Sequence, residues 1–226
     1  MDYPQAPELS ENVLARRAEV PLKPASVTLE GSFVRLAPLD LERDVDGLWA
    51  VSNGRAETLG ERNVEAYDAD ALIWRYMSGG PFASAEDLAR WLRPQVEAPN
   101  ALCLCAFDPM TGRAVGAANF MSNIPAHLKI ELGNIWYSPL VQRTRVNLEA
   151  TYLMLRHAFE LGYRRVEWKC DALNERSRRA ALRMGFTFEG IQEQHFMIKD
   201  RNRDTAWFRV LDREWSSVRE RFEERL

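Results

Sequence analysis

The sequence has few cysteines, and their spacing excludes the common cysteine-based sites. It contains three, Cys103, Cys105 and Cys170, which form neither an even disulfide framework nor a C-x-x-C pair. Cys103 and Cys105 lie in an apolar run, so we predict buried free thiols and a reducing, cytoplasmic setting. No metal site is predicted.

Long hydrophobic runs are also absent. No apolar segment approaches the roughly 18 residues that a membrane span requires. Residues 1–24 contain four prolines and no apolar core, which is not the pattern of a secretory signal. Neither a membrane association nor secretion is therefore expected.

The sequence has no strong excess of one charge. Its net charge is −3, from 30 basic and 33 acidic residues, which argues against a general nucleic-acid binder but leaves local patches open. A chain of 226 residues with 46% hydrophobic content can bury one sizeable core or two small ones. No internal repeat appears. We expect an N-terminal arm, residues 1–26, and a single domain, residues 27–226, that includes a C-terminal helix.

The periodicity of apolar residues predicts a mixed α/β fold. The predicted strands cover residues 27–39, 101–107, 114–121, 129–137, 165–170, 186–199 and 203–211. The predicted helices cover residues 11–18, 40–51 and 69–77, a segment beginning after Ser84, residues 145–161, a short helix after Asn174, and one capped by Asp212. Hairpins combined with one strand–helix–strand crossover indicate a central mixed, mostly antiparallel sheet of about six to seven strands, with helices on both faces.

The stretch from Asp171 to Gly190 is the most informative part of the sequence. It reads as a strand end, a short helix and a new strand, with Asn174 as N-cap and Gly185 as the residue that ends the helix. Within it lies the pattern N-x-x-S, followed by Gly185-Phe186 and then by Glu-Gly.

A second informative segment joins the strand ending at Tyr137 to the long helix. Such a junction presents unpaired N–H groups and the positive end of the helix dipole, so it can bind an anion. Arg143 and Arg145 lie in the first turn, where cations are unfavourable by roughly 0.3–1 kcal/mol each unless a polyanion is bound. Alternatively, both arginines are solvated or pair with acidic neighbours.

Together these segments resemble two motifs of the GNAT acetyltransferases. The sequence is most similar to the branch that contains the ribosomal-protein N-terminal alanine/serine acetyltransferases. The pattern N-x-x-S…G-F…E-G resembles the second conserved motif of the family. The loop resembles its pyrophosphate motif, Gln/Arg-x-x-Gly-x-Gly/Ala, with Gln142 at the first position. Arg145 and Asn147 replace the glycines, which would restrict a close approach of the backbone to phosphate.

The resemblance implies a GNAT fold that binds acetyl-CoA and acetylates an amine by direct attack in a ternary complex. Backbone N–H groups of residues 143–148 would hold the pyrophosphate; the alternative is a weakened or lost affinity. The implied cofactor-binding residues are Trp136, Tyr137, Gln142, Arg143, Thr144, Arg145, Val146, Asn147, Asn174 and Arg179.

The chemistry requires an oxyanion donor and a proton source for the leaving thiolate. By resemblance, Ser177 lies near the sulfur. The tyrosine that many family members use as general acid would fall at Ala181, so that role is vacant. Asn174 and Ser177 could also be only a helix cap and a polar helix residue.

Two residues are candidates for the base. Glu131 lies between Ile130 and Leu132 on a predicted strand, where apolar neighbours would raise the pKa of its carboxyl. The alternative is a solvent-facing strand residue. The second is His195, because a histidine side chain titrates near neutral pH, where a general base must work. The alternative is that this lone histidine has a structural role.

The acceptor remains open: a protein N-terminus, an amino acid, a polyamine or an antibiotic-like amine. Two other functions are considered, a CoA-binding sensor or inactive relative, and an interaction domain that does not bind CoA. The sequence is compatible with a homodimer and does not define the oligomeric state.

Overall fold

A computed structural model describes residues 4–226, which form two sheets and helices on both faces of the larger one. The strands are β1 (Leu29–Glu30), β2 (Arg35–Pro38), β3 (Glu57–Leu59), β4 (Arg62–Val64), β5 (Leu102–Phe107), β6 (Ala114–Ile124), β7 (Lys129–Tyr137), β8 (Arg165–Asp171), β9 (Thr187–Ile198) and β10 (Arg201–Leu211). The helices are α1 (Glu11–Glu19), α2 (Leu41–Ala50), α3 (Ala85–Glu97), α4 (Val146–Glu160), α5 (Glu175–Arg183) and α6 (Trp215–Glu223).

The main sheet has eight strands in the order β1-β2-β5-β6-β7-β8-β10-β9. All its pairs are antiparallel except β7 with β8, which confirms the mixed, mostly antiparallel sheet. The expected six to seven strands were too few, because the predicted strand 27–39 is two strands joined by a turn. A small hairpin, β3–β4, was also missed because its residues are mostly polar.

Side chains from the two faces of the sheet form two cores. One core lies between the sheet and helices α4, α5 and α6 and includes Trp168, Phe208 and Phe222. The other lies under α2 and α3 and includes Trp74 and Trp136. All three cysteines are buried and unpaired, as was predicted for Cys103 and Cys105. Within residues 4–226, no helix is long and apolar enough to cross a membrane.

The turn between β1 and β2 is held by a buried carboxylate of α4. Glu149 accepts hydrogen bonds from the backbone N–H groups of Ser32 (2.8 Å), Phe33 (2.6 Å) and Val34 (2.9 Å). A Cβ atom on Gly31 would overlap this carboxylate. This contact bends the predicted strand and fixes the start of the sheet against α4.

Strands β7 and β8 pair only over their first halves. The parallel pairs end at Leu132 opposite Trp168, whereas β7 stays paired with β6 as far as Tyr137. The next residues, Gly133 and Asn134, form an irregularity in which Asn134 has a φ of 48°. The β-bulge bends β7 away from β8, so an opening forms between residues 133–137 and the end of β8.

The N-terminal segment packs on the body of the protein. The side-chain amide of Asn123 donates to the carbonyls of Pro21 and Leu22, both at 2.9 Å. Lys23 donates to the carbonyls of Val96 (2.8 Å) and Ala98 (2.7 Å) on the α3 side. The predicted helix is present as α1, and residues 1–3 of the predicted arm lie outside the described residues.

Two helix predictions were wrong in detail. Residues 69–77 do not form an α-helix but one wide turn, in which the N–H of Arg75 donates to the carbonyl of Asp70 at 2.8 Å. Asp212 does not cap α6 but begins a short 3₁₀ turn before it. Glu214 supplies the cap of that turn, because its Oε2 accepts the N–H of Leu211 at 3.1 Å.

Candidate active site

The opening between β7 and β8 exposes backbone from the second half of β7. The N–H of Ser138 bonds to Val115 of β6 at 2.8 Å, so by strand alternation the peptide groups of Ile135 and Tyr137 face the opening. The side chains of the predicted contacts are core residues: Trp136 lies 4.9 Å from Trp74 between ring centroids. Burial raises the pKa of Tyr137. Of these two residues, only Tyr137 therefore faces the opening, and it does so only through its backbone.

The loop that follows β7 ends in a set of unpaired N–H groups. Among residues 4–226, no acceptor takes the backbone N–H of Arg143, Arg145, Asn147 or Leu148. The N–H of Val146, which begins α4, bonds to Thr144 Oγ1 at 3.3 Å. Four donors at the N-terminus of a 15-residue helix suit a phosphate group.

The arginines that replace the expected glycines differ in their surroundings. Arg145 has a helical φ of −74°, so no glycine is needed there. Its guanidinium donates to the carbonyl of Leu226 at 2.7 Å and lies 5.0 Å from the Phe33 ring. Arg143 has a left-handed φ of 65°, and its exposed side chain has no partner in the described chain. Arg143 is therefore the cation of this loop that is free to meet a phosphate.

The Gln142 side chain does not take part in the group of unpaired backbone N–H donors in this loop. Its Nε2 donates to the carbonyls of Tyr137 (2.9 Å) and Leu72 (3.2 Å). Two further donors reach the same short turn: Arg176 of α5 bonds to the carbonyl of Ala71 at 2.8 Å, and Lys199 bonds to that of Trp74 at 2.7 Å. The turn, Asp70–Trp74, spans the opening and is called the bridge segment here.

The short helix after β8 has the predicted ends. Asn174 Oδ1 accepts the N–H of Ser177 at 3.1 Å, and Gly185 has a φ of 84°. The N–H of Gly185 bonds to Leu182 and that of Phe186 bonds to Ala181, which is a Schellman ending. Ala181 is completely buried, and its methyl group offers no proton to a leaving thiolate.

The side chains of α5 that were predicted to act in catalysis or binding lie apart. Ser177 Oγ accepts the indole N–H of Trp168 at 3.0 Å and also lies beside Cys170, whose pKa burial raises and Ser177 lowers. Arg179 is exposed and pairs with Glu175 at 2.6 Å. Ser177 therefore borders the opening from the α4–α5 face, and Arg179 lies on the outer surface of its helix.

Glu131 is 5% exposed, which excludes the alternative of a solvent-facing strand residue. Its Oε2 lies 2.6 Å from Nζ of Lys169 on β8. Burial raises the pKa of the Glu131 carboxyl, and the charge of Lys169 opposes that rise. The Lys169 ammonium also lies 4.4 Å from the centroid of the Trp207 ring.

His195 lies on the same face of the sheet as Glu131. Its ring is 5.8 Å from the Trp207 ring, and its Nδ1 is buried with no partner among residues 4–226. Burial lowers the pKa of His195, and Lys169 and Arg203 lower it further. The structure thus brings Glu131 and His195 to one face through Lys169 and Trp207, whereas Ser177 approaches from the other face.

Sequence reasoning missed a polar cluster beside the bulge. Gln95 Oε1 accepts from the side-chain amides of Asn134 (2.8 Å) and Asn119 (3.3 Å). Asn119 is 3% exposed and its Oδ1 has no partner in the described chain. Lys169 was also missed, although its position between Trp168 and Cys170 on β8 was a signal that could have placed it on the opposite face from those two residues. The described residues contain no cluster of side chains that could hold a metal ion.

Comparison with known proteins points to one family. The family model described as acetyltransferase (GNAT) domain matches residues 56–187. A GCN5-related N-acetyltransferase from Brucella melitensis is 36% identical, with a TM-score of 0.79 over 89% of this chain and 86% of the other. No curated protein matches the chain.

Two further solved structures extend the comparison. A protein from Chromobacterium violaceum, described as a probable acetyltransferase of the GNAT family, is 32% identical, with a TM-score of 0.79 over 96% of this chain and 98% of the other. An acetyltransferase from Salmonella typhimurium, described as modifying the N-terminal serine of a 50S ribosomal subunit protein, is 16% identical, with a TM-score of 0.66 over 82% of this chain and 99% of the other. The second likeness concerns the fold.

Proposed function

This chain belongs to the GNAT acetyltransferase family, which transfers acetyl groups from acetyl-CoA, and we propose that it acetylates a primary amine by direct attack in a ternary complex. The observation that carries the proposal is the opening between β7 and β8, with four unpaired N–H groups at its wide end. An elongated cofactor with a pyrophosphate and an amide-containing arm fits these features, because both the loop and the strand backbone offer unused hydrogen-bonding groups.

The proposal assigns cofactor contacts to residues around this opening. The N–H groups of residues 143–148 and the Arg143 side chain hold the pyrophosphate, and the backbone of Ile135 and Tyr137 holds the arm. The Asn174 side-chain amide, which has no acceptor among residues 4–226, donates to the same arm. Acetyl-CoA, when bound, supplies an activated thioester. Arg145 contributes its backbone, because its guanidinium is already engaged.

Glu131 is proposed to accept the proton of the attacking amine. It is buried, ion-paired with Lys169, and close to the end of the β7–β8 pairing. Ser177 borders the opening with a hydroxyl proton that its bond from Trp168 leaves free, so it can donate to the leaving thiolate. His195 lies on the same face of the sheet as Glu131. It is therefore proposed to act near the acceptor amine and not near the leaving thiolate.

A thiol-release assay with acetyl-CoA and a panel of amines tests the proposal. We expect turnover of at least one amine, and a decrease in kcat/KM of about 10²–10⁴-fold in Glu131→Gln, the usual contribution of a general base. Glu167→Gln is the matched control, since Glu167 is a buried carboxylate on the neighbouring strand that pairs with Lys129 and Arg165.

An inactive CoA-binding relative is the second candidate, because Ala181 leaves no tyrosine at the opening. Calorimetry distinguishes it: tight binding of acetyl-CoA with no turnover of any amine supports a sensor. An absence of acetyl-CoA binding would contradict both functions.

A further inference from the structure

One basic side chain next to the candidate active site has no carboxylate partner. Strands β8 and β10 carry four partly buried basic residues, Arg165, Lys169, Arg203 and Arg209. Three of them are paired: Arg165 with Glu167 at 2.7 Å, Lys169 with Glu131 at 2.6 Å, and Arg209 with Glu214. Within residues 4–226, the Arg203 side chain makes neither an ion pair nor a hydrogen bond, and its Nε is buried.

Two more buried polar atoms without partners lie beside Arg203. Thr205 follows on the same face of β10, is completely buried, and has an unpaired Oγ1. The Nδ1 of His195 is unpaired and buried as well. The Arg203 guanidinium lies 5.5 Å from the centroid of the Phe196 ring, whose centroid is 3.8 Å from that of the tilted His195 ring. These three residues, Arg203, Thr205 and His195, are called the β10 subsite here.

The unpaired atoms of the β10 subsite suit a ligand that accepts hydrogen bonds, and Arg203 allows no other kind. A guanidinium Nε–H can only donate, a threonine hydroxyl can donate, and an imidazole can donate from Nδ1. Leaving such buried groups unpaired costs about 1–3 kcal/mol each, and more for a charged group. A bound anion would satisfy all of them, and hydrogen bonds to an anion are the stronger kind.

The local charges favour an anion with a single negative charge. Asp171 lies opposite Thr205 on β8, and its Oδ1 accepts the N–H of Leu173, so a carboxylate already stands at the edge of the subsite. Asp204 points to the other face, where its Oδ1 accepts the N–H of Gln194 and the amide of Asn202, both at 2.8 Å. A carboxylate ligand fits this balance better than a doubly charged phosphate.

The subsite and the proposed base share one face of the sheet. Lys169, which holds Glu131, packs over Trp207, and Trp207 lies two residues from Thr205 on β10. On the basis of the proposed acetyltransferase function, we propose that the acceptor is an amine that also carries a carboxylate. Its amine reaches Glu131, and its carboxylate reaches Arg203 and Thr205.

Trp207 lies between Glu131, which the amine reaches, and Arg203 and Thr205, which the carboxylate reaches. The amine and the carboxylate of the acceptor are therefore separated by several atoms. From Arg203 to Trp207 the strand advances four residues, roughly 13 Å at about 3.3 Å per residue. The long side chains of Arg203 and Glu131 shorten that span from each end. An extended ω-amino acid, or a peptide N-terminus followed by an acidic residue, therefore suits the site better than a simple α-amino acid.

A panel of paired amines tests this inference. It contains ω-amino acids from glycine to 6-aminohexanoate, the amide of each, and phosphoethanolamine, assayed by thiol release from acetyl-CoA. We expect kcat/KM for the longer acids to exceed that of their amides by roughly tenfold or more, the scale of a hydrogen bond to a charged group. Equal rates, a preference for the amides, or a preference for phosphoethanolamine over β-alanine would overturn the assignment.

Variants of β10 locate the effect. In Arg203→Gln we expect the acid-to-amide ratio to fall to about one while the rate with amides stays within roughly threefold. Arg201→Gln, an exposed arginine two residues away on the same strand, is the matched control and should keep the ratio. Thermal unfolding shows whether both variants fold. A ratio unchanged in Arg203→Gln would refute the role of this residue.

Failure of the inference is distinguishable from failure of the proposed function. Acetylation of acids and amides at equal rates leaves the acetyltransferase intact and removes the carboxylate subsite. If no compound in the panel is acetylated, calorimetry on the CoA-saturated protein with the N-acetylated acids and amides decides, and equal or absent binding of the two sets overturns the inference. An absence of acetyl-CoA binding overturns both.

Discussion

The carboxylate of Glu149 offers the sharpest test of how the fold positions the loop at the start of α4. Glu149 is 6% exposed and lies in the first turn of α4, directly after the unpaired N–H groups of Asn147 and Leu148. It accepts three backbone N–H groups of the β1–β2 turn, at 2.6–2.9 Å. The substitution Glu149→Gln keeps the size of the side chain and replaces one acceptor oxygen by an NH₂ group.

The magnitude follows from the three contacts. The amide keeps one acceptor, so at least one buried N–H loses its partner and faces another donor, which costs about 1–3 kcal/mol. The remaining hydrogen bonds lose the assistance of the charge, which adds roughly 1 kcal/mol. We expect the free energy of unfolding to fall by about 3 kcal/mol. For a chain of this length that corresponds to a decrease in Tm of roughly 6–12 °C.

Thermal unfolding followed by circular dichroism measures the effect. The matched control is Glu160→Gln, which removes the same charge from the other end of α4, where Glu160 is exposed and 3.9 Å from Arg156. An exposed pair of this kind contributes about 0.5 kcal/mol or less. If Glu149→Gln lowers the stability by no more than this control, the β1–β2 turn is not held by the carboxylate and the reasoning is refuted.

Three further predictions concern the candidate active site. Lys169→Met removes the charge that opposes the raised pKa of Glu131, so the acidic limb of the kcat/KM–pH profile should move to higher pH; an unmoved limb would contradict the role of Glu131 as base. Asn174→Ala removes the cap of α5 and should lower the free energy of unfolding by about 1 kcal/mol, measured in urea; no change would show that the cap is dispensable. Arg143→Gln should raise the calorimetric Kd of acetyl-CoA roughly three- to tenfold with a reduced dependence on salt, whereas an unchanged Kd would exclude this side chain from the phosphate site.

Features with a local signal could be predicted from the sequence. The bounds of β7 and the Asn174 cap agree with the structure, because an alternating apolar pattern and a capping residue act within a few positions of the chain. The same holds for Ser84, whose Oγ accepts the N–H of Asp87 at 3.2 Å. The site residues carried over from the family remain predictions.

Features that depend on contacts between distant residues could not be predicted. Glu149 looks like any helix residue in the sequence, and only the fold brings it to Ser32. The unpaired state of Arg203 is also invisible, because it depends on which carboxylates reach β10 from other strands. Residues 69–77 read as an α-helix by periodicity, but donors from three distant elements hold part of the segment as a wide turn.

The bridge segment has a consequence for how fast ligands leave. Three side-chain donors hold it, at about 0.5–1.5 kcal/mol each, and its Ile73 and Trp74 side chains are buried in the core. Opening the segment therefore costs more than roughly 2–4 kcal/mol, and it is open for less than about 3% of the time. If the proposed function is right and the arm of acetyl-CoA passes beneath this segment, spent CoA leaves only from that minor state. We then expect a rapid first cycle of acetylation followed by a slower steady state.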